Sequence, residues 1–176
     1  MFMNIRSLTR CALMAALLCV LSPVSIPLAS LVPISLASLM VMLAGSVLGR
    51  KEGVIAVLIY LLCGMAGLPV FAEFSSGITV LFGVTGGFLF GYLPLSYCSG
   101  LFYEKGKDTR SLLTGTILGT VILYTIGTLW FMFYLKTDLL KALAACVLPF
   151  LIGDALKIFL VCLLTPRLQA AIRRWN

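Results

Sequence analysis

Charge almost never interrupts the apolar runs of this chain, and that limits its fold more than any other feature. Between Ala142 and Pro166 the only charged residues are Asp154 and Lys157, and similar runs fill most of the 176 residues. Charged residues make up 11% of the chain and apolar residues 61%, whereas a soluble domain carries about 25% charged residues. So little charge could not cover a soluble surface. A soluble globular domain, a disordered chain and a disulfide-rich secreted mini-protein are therefore excluded. An integral membrane protein remains, and at about 20 residues per helical span the length allows about six or seven crossings.

Six apolar segments lie between charge clusters and Gly/Pro breaks: 8–26, 34–49, 53–66, 78–103, 111–135 and 139–164. They predict one integral membrane domain over 1–176, an all-α six-helix bundle. The second and third segments are short for a full crossing; bundle packing or continuation into the loops would compensate. Arg6 and Arg10 before the first segment, with Leu28-Ala29-Ser30 after it, imitate a cleavable signal peptide. The segment is long enough to span and the next is also membrane-like, so it reads as a retained first helix.

The basic residues follow this partition. Arg6, Arg10, Arg50, Lys51, Lys105, Lys107, Arg110, Arg167, Arg173 and Arg174 fall on one side, and Lys136 and Lys141 on the other. The thirteenth, Lys157, lies inside the last segment. Cytoplasmic flanks are enriched in Lys and Arg, so this asymmetry predicts both termini in the cytoplasm and an even number of crossings of the cell membrane. The net charge of +7 is thus a topology signal; no basic face exists to track phosphates.

Two connections on the outer side are unusual. Ser22–Pro33 contains Pro23, Pro27 and Pro33 and no charge, and Gly64–Gly77 (GMAGLPVFAEFSSG) contains one, Glu73. Irregular apolar backbone at membrane depth is tolerated where it is buried in protein or lines a cavity. These loops are candidates for lids over an outward-facing site, or for interfacial loops that dip into headgroups. Small residues at four-residue spacing (Ala12/Ala16, Gly45/Gly49/Gly53, Gly83/Gly87/Gly91, Gly115/Gly119) let helices approach closely, mostly within the bundle. The six cysteines lie inside apolar runs with no CxxC, so they read as free thiols acting as small apolar groups. With no histidine, no metal site is expected.

The sharpest chemical feature is Gly153-Asp154-Ala155-Leu156-Lys157. A charge at the bilayer centre costs about 2.5–3.5 kcal/mol. Opposite charges at i and i+3 share a helix face and offset one another. The pair either locks helices or faces a cavity, where a carboxylate acceptor beside an ammonium donor would grip a small polar headgroup. Phe82-Gly83-Val84-Thr85-Gly86-Gly87-Phe88, after Thr79, adds hydroxyls and loosened backbone. No GxxxxGK[ST] phosphate loop, GxSxG or paired carboxylates occur, so the chain neither hydrolyses ATP by itself nor reads as an intramembrane hydrolase.

In order, Pro33-Ile34-Ser35-Leu36, GMAGLPVFA (64–72), FGVTGGFL (82–89) and GDALK (153–157) resemble the BioY family, the biotin-specific substrate-capture (S) subunits of energy-coupling-factor (ECF) transporters. The likeness covers nearly the whole chain. The family's usual GPTGGY reads Gly83-Val84-Thr85-Gly86-Gly87-Phe88 here, and its PITLQ reads Pro33-Ile34-Ser35-Leu36-Ala37. The resemblance implies a six-helix vitamin-binding subunit, not an enzyme. It would need no cofactor and would be energised by a coupling membrane subunit and two ATPases docked partly through Ala12 and Ala16. It also implies a site in which Asp154 accepts the ureido N–H groups of biotin and Lys157 donates to its carbonyl or its carboxylate. Thr79, Thr85, Gly86 and Gly87 would form the facing wall, and Phe71 and the loop around Pro69 would close over the apolar body. Other readings stay open: an S subunit for a different small vitamin, a membrane-embedded enzyme, or a membrane assembly protein whose charged pair only locks helices.

Overall fold

The computed structural model describes residues 4–26 and 34–174, so Pro27 and Pro33 of the first outer loop lie outside the described residues. The elements are α1 (Ile5–Leu21), the two-residue strands β1 (Ser25–Ile26) and β2 (Ile34–Ser35), α2 (Ala37–Leu48) and α3 (Arg50–Met65). Then follow a 3-10 turn at Ala72–Phe74, α4 (Ile78–Leu81), α5 (Gly86–Gly106), α6 (Thr109–Leu135), α7 (Leu139–Cys146) and α8 (Leu148–Arg174). β1 and β2 pair antiparallel, Ser25 opposite Ser35 and Ile26 opposite Ile34. They tie the end of α1 to the start of α2.

α2 is the central helix. Ten of its twelve residues are buried, as expected for a helix apolar all round. It can sit so deep because glycine lets other backbones touch it. A Cβ on Gly45 would collide with the Ser96 carbonyl of α5, and one on Gly100 of α5 would meet the Gly45 carbonyl oxygen at 2.7 Å. Gly49, at φ 93°, makes the abrupt turn between α2 and α3, a left-handed conformation that costs glycine little. The most extensive helix pair is α5 with α6. There Gly91 and Gly119 receive Leu123 and Leu95, and Gly87 and Gly127 receive Trp130 and Phe88. The four-residue glycine spacing thus serves contacts within the bundle.

α8 is attached to α2 by polar ties at several levels. Lys157 Nζ donates to Ser38 Oγ at 2.9 Å, Ser46 Oγ and Thr165 Oγ1 are 2.9 Å apart, and Gln169 Nε2 donates to the Ser46 carbonyl at 2.9 Å. Such bonds act as glue where lipid supplies no hydrophobic drive for helix association. At the end rich in basic residues, Glu104 receives the Arg50 N–H at 2.8 Å and its guanidinium at 3.3 Å. Asp108 caps α6, and hydrogen bonds from Ser111 hold its carboxyl below the ordinary carboxylate range.

Two expected segments are broken in the structure. The run 78–103 divides into α4 and α5 around a turn at 82–85, which Trp130 pins by donating its indole N–H to the Gly83 carbonyl at 2.9 Å. The run 139–164 divides into α7 and α8 at Val147 (φ −121°, ψ −55°). Pro149 explains the break: it cannot continue a preceding helix, yet it fits the first turn of a new one. α8 then continues to Arg174. α6, and the stretch from Leu139 to Ile172, are long and apolar enough to cross a membrane.

Gly45→Ala tests the close approach of α2 to α5. Its methyl meets backbone rather than a movable side chain, so the expected cost is about 1–3 kcal/mol. It is read as a lowered thermal midpoint of the detergent-solubilised protein. Leu13→Ala, on the exposed face of α1, should leave that midpoint unchanged.

Candidate binding site

Asp154 and Lys157 stand one turn apart on α8 and are 5% and 7% exposed. Lys157 Nζ lies 2.9 Å from Asp154 Oδ1. Neither group depends on the other alone. The Tyr124 hydroxyl of α6 donates to Asp154 Oδ2 at 2.6 Å, and Lys157 donates to Ser38 of α2. A buried ion pair is tolerable when further hydrogen bonds satisfy its remaining donors and acceptors. α2 and α6 supply them here.

These groups line a small compartment of about 40 Å³, which Ser35, Phe88 and Tyr92 also line. The same three residues line a larger cavity of about 240 Å³. The two spaces adjoin across these three side chains and together make one candidate site with a charged end and a wider end. Ser22, Tyr60, Phe71, Ala72, Glu73 and Thr85 are among the residues of the wider end. The Ser22 and Tyr60 hydroxyls are 2.6 Å apart. Phe71 is fully buried, with its ring edge-on to Tyr60 at 5.6 Å between centroids. Gly64 leaves room for that ring, since a Cβ there would strike it.

The two outer loops meet over this space. The Glu73 N–H reaches the Pro23 carbonyl at 3.3 Å and Ser25 Oγ at 3.1 Å. The Phe71 N–H donates to the Ser75 carbonyl at 3.0 Å. Of the two readings of these loops, the geometry supports the lid.

The residues expected to form the site are only partly brought together. Asp154, Lys157, Thr85 and Phe71 line the joined cavity. Thr79 does not: it is exposed on α4. Gly86 and Gly87 are buried against Leu81 and Trp130, so they serve the seat of α5 and not the cavity wall. Ala12 and Ala16 lie on an exposed face of α1 that also carries Leu13, Leu17 and Val20. Sequence reasoning missed Ser38, Tyr124, Tyr92, Ser22 and Tyr60. Their one signal was a polar atom within or beside an apolar run.

A helical membrane bundle with a lidded cavity ending in a buried charged pair defines a membrane solute-binding protein of the ECF S-component fold. The fold is matched by the crystal structure at 2.1 Å of the S-component for biotin from an ECF-type ABC transporter, with a TM-score of 0.88 and 29% identity, over 97% of this chain and 95% of that one. The BioY family model matches residues 1–174, and the chain belongs to the BioY family. It is 40% identical to the biotin transporter BioY2 of Lactococcus lactis subsp. cremoris, covering 97% of this chain and 93% of that protein. It is 38% identical to the biotin transporter BioY of Thermotoga maritima, covering 93% and 96%.

Tyr124→Phe tests the support of Asp154. It leaves one carboxylate oxygen without a charge-assisted hydrogen bond, worth about 1.5–3 kcal/mol. A lower thermal midpoint in detergent, with membrane insertion retained, is the expected result.

Proposed function

We propose that this chain is the biotin-binding subunit of an ATP-driven ECF importer. The observation that carries the reading is the buried Asp154–Lys157 pair lining a compartment beside a lidded cavity, in a chain of the BioY family. The ureido ring of biotin has two N–H donors and one carbonyl acceptor. Asp154 supplies the acceptor and Lys157 the donor, and each Asp154 oxygen keeps a lone pair beyond those used by Lys157 and Tyr124. With the ureido ring at this end, the thioether ring lies between Phe88 and Tyr92, and the valerate chain runs toward Phe71 and Thr85. The polar wall opposite the pair is supplied by Ser35, Ser38 and Tyr124 instead of Thr79, Gly86 and Gly87. The close relatives are named as transporters and not as enzymes, in keeping with a binding role.

Binding alone cannot concentrate a solute. Uptake therefore draws on partner subunits, a coupling membrane protein and two ATPases, docked partly through the Ala12/Ala16 face of α1. The small side chains there allow a foreign helix to approach closely. The six apolar segments support six crossings of the cell membrane, and the skew of basic residues supports an even number with both termini in the cytoplasm.

The decisive experiment is biotin titration of the purified, detergent-solubilised chain. Stranding one member of a buried charged pair costs about 3–5 kcal/mol, so Asp154→Asn and Lys157→Met should each lose more than about a hundredfold in affinity. Lys105→Met, exposed at the end of α5, should bind as the parent does. Undiminished binding by Asp154→Asn would show that the pair is structural. A second test addresses docking: Ala12→Trp with Ala16→Trp should abolish ATP-driven uptake in cells while calorimetric biotin binding stays intact. Unchanged uptake would move the docking face elsewhere.

A further inference from the structure

At the end of the bundle rich in basic residues, an apolar groove lies between α1 and α8. It has a volume of about 500 Å³ and is lined by Ile5, Arg6, Thr9, Arg10 and Leu13 of α1 and by Ala171 and Ile172 of α8. Ile5 and Leu13 are exposed. Arg6 and Arg10 stand one helical turn apart on the same wall, a spacing at which like charges repel. Arg10 Nε donates to the Arg6 carbonyl at 3.3 Å, which ties its guanidinium to that wall.

Among the described residues, no carboxylate pairs with either arginine. All six acidic residues of the chain are placed elsewhere. Glu52 accepts from Ser7, Glu104 takes Arg50, Asp138 takes Lys141 and Asp154 takes Lys157. Asp108 caps α6, and Glu73 lies on the outer lid. The stretches 1–3 and 173–176 contain no acidic side chain in sequence, and the second adds Arg173 and Arg174. Lys105 and Lys107, basic residues of the same end, do not line the groove.

An occupant that suits this groove combines an anion with an apolar body. Guanidinium forks match phosphate oxygens, and arginine stems lie along apolar surface while their heads reach the water boundary. A free phosphate would use the forks and leave Ile5, Leu13 and Ile172 bare. A phospholipid uses both, and basic pockets between helices at the cytoplasmic surface suit anionic headgroups. In the orientation proposed above, the groove opens at that surface.

We propose that the α1/α8 groove binds one anionic phospholipid, with its phosphate between Arg6 and Arg10 and an acyl chain along Leu13 and Ile172. The proposal uses the membrane orientation given above and is independent of the solute bound in the central cavity.

The purified full chain in a neutral detergent is titrated with dioctanoyl phosphatidylglycerol, with dioctanoyl phosphatidylcholine, whose phosphate is neutralised by choline, and with glycerol 3-phosphate. Bound molecules are counted by native mass spectrometry at low and high ammonium acetate. Phosphatidylglycerol should bind about five- to tenfold tighter than phosphatidylcholine at low salt, an advantage that fades as salt rises. Glycerol 3-phosphate, an anion without chains, should show no saturable binding. Arg6→Gln with Arg10→Gln should bring phosphatidylglycerol down to the level of phosphatidylcholine, whose unchanged binding controls for the fold of the groove. Lys105→Gln with Lys107→Gln should leave the preference as it is in the parent. Equal binding of the two lipids by the parent overturns the proposal. So does a preference lost equally in both double variants, which would mark diffuse surface charge, and so does saturable binding of glycerol 3-phosphate. A preference that the arginine variant retains overturns it as well, and assigns the two arginines to a protein partner if that variant no longer co-purifies with the coupling subunit.

Discussion

Two opposite charges buried on one turn of α8 are the constraint around which the rest of the structure is arranged. Removing an ion from water costs several kcal/mol, and contact between the two ions recovers that only when their other valences are filled. Ser38 fills one from α2 and Tyr124 fills another from α6. The network therefore sets the rotation of α8 and the depth at which α2 and α6 meet it. It also leaves a small compartment at their junction with a charged pair on its wall, which is what a compact headgroup with both donors and an acceptor requires.

Bringing those helices close enough depends on missing side chains as much as on present ones. Gly45 lets α5 lie against the central helix, and Gly91 and Gly119 let α6 lie against α5. The wider cavity lies among Ala37 of α2, Tyr60 of α3 and Phe88, Leu89 and Tyr92 of α5. There the lid loops meet, joined by the Glu73 N–H to Pro23 and Ser25. Rigid packing below and a strained, locally hydrogen-bonded lid above, with Glu73 and Phe74 at φ 57° and 56°, suit a protein that must enclose a solute and later release it. Backbone strain concentrates where a structure has a functional reason to hold it.

The class of protein was legible early because membrane solvation acts on composition. A chain that cannot cover a surface with charge must lie in lipid, and the basic flanks then carry a signal for its orientation. The Asp154–Lys157 pair was legible for a similar reason. Helical geometry places residues i and i+3 on one face wherever the helix goes, and an ionisable pair within an apolar run costs too much to be idle. Phe71 and Thr85 entered through the resemblance to the BioY family, and both line the wider cavity.

Local spacing could not reveal which face meets which. Ser38 lies 119 positions from Lys157 and Tyr124 lies 30 from Asp154, and nothing in their immediate neighbours distinguishes them from other polar residues of the chain. Gly86 and Gly87 looked like a ligand wall, but Leu81 and Trp130 occupy the space beside them. Thr79 lies exposed on the single helical turn of α4. The sequence by itself determined the membrane class, the orientation signal and the charged pair, since each follows from local cost in lipid or from the fixed pitch of a helix. Only the tertiary structure decided the partners of the pair, the shape of the cavity and the groove that α1 and α8 form beside Arg6 and Arg10, because those depend on close approaches between residues far apart in the chain.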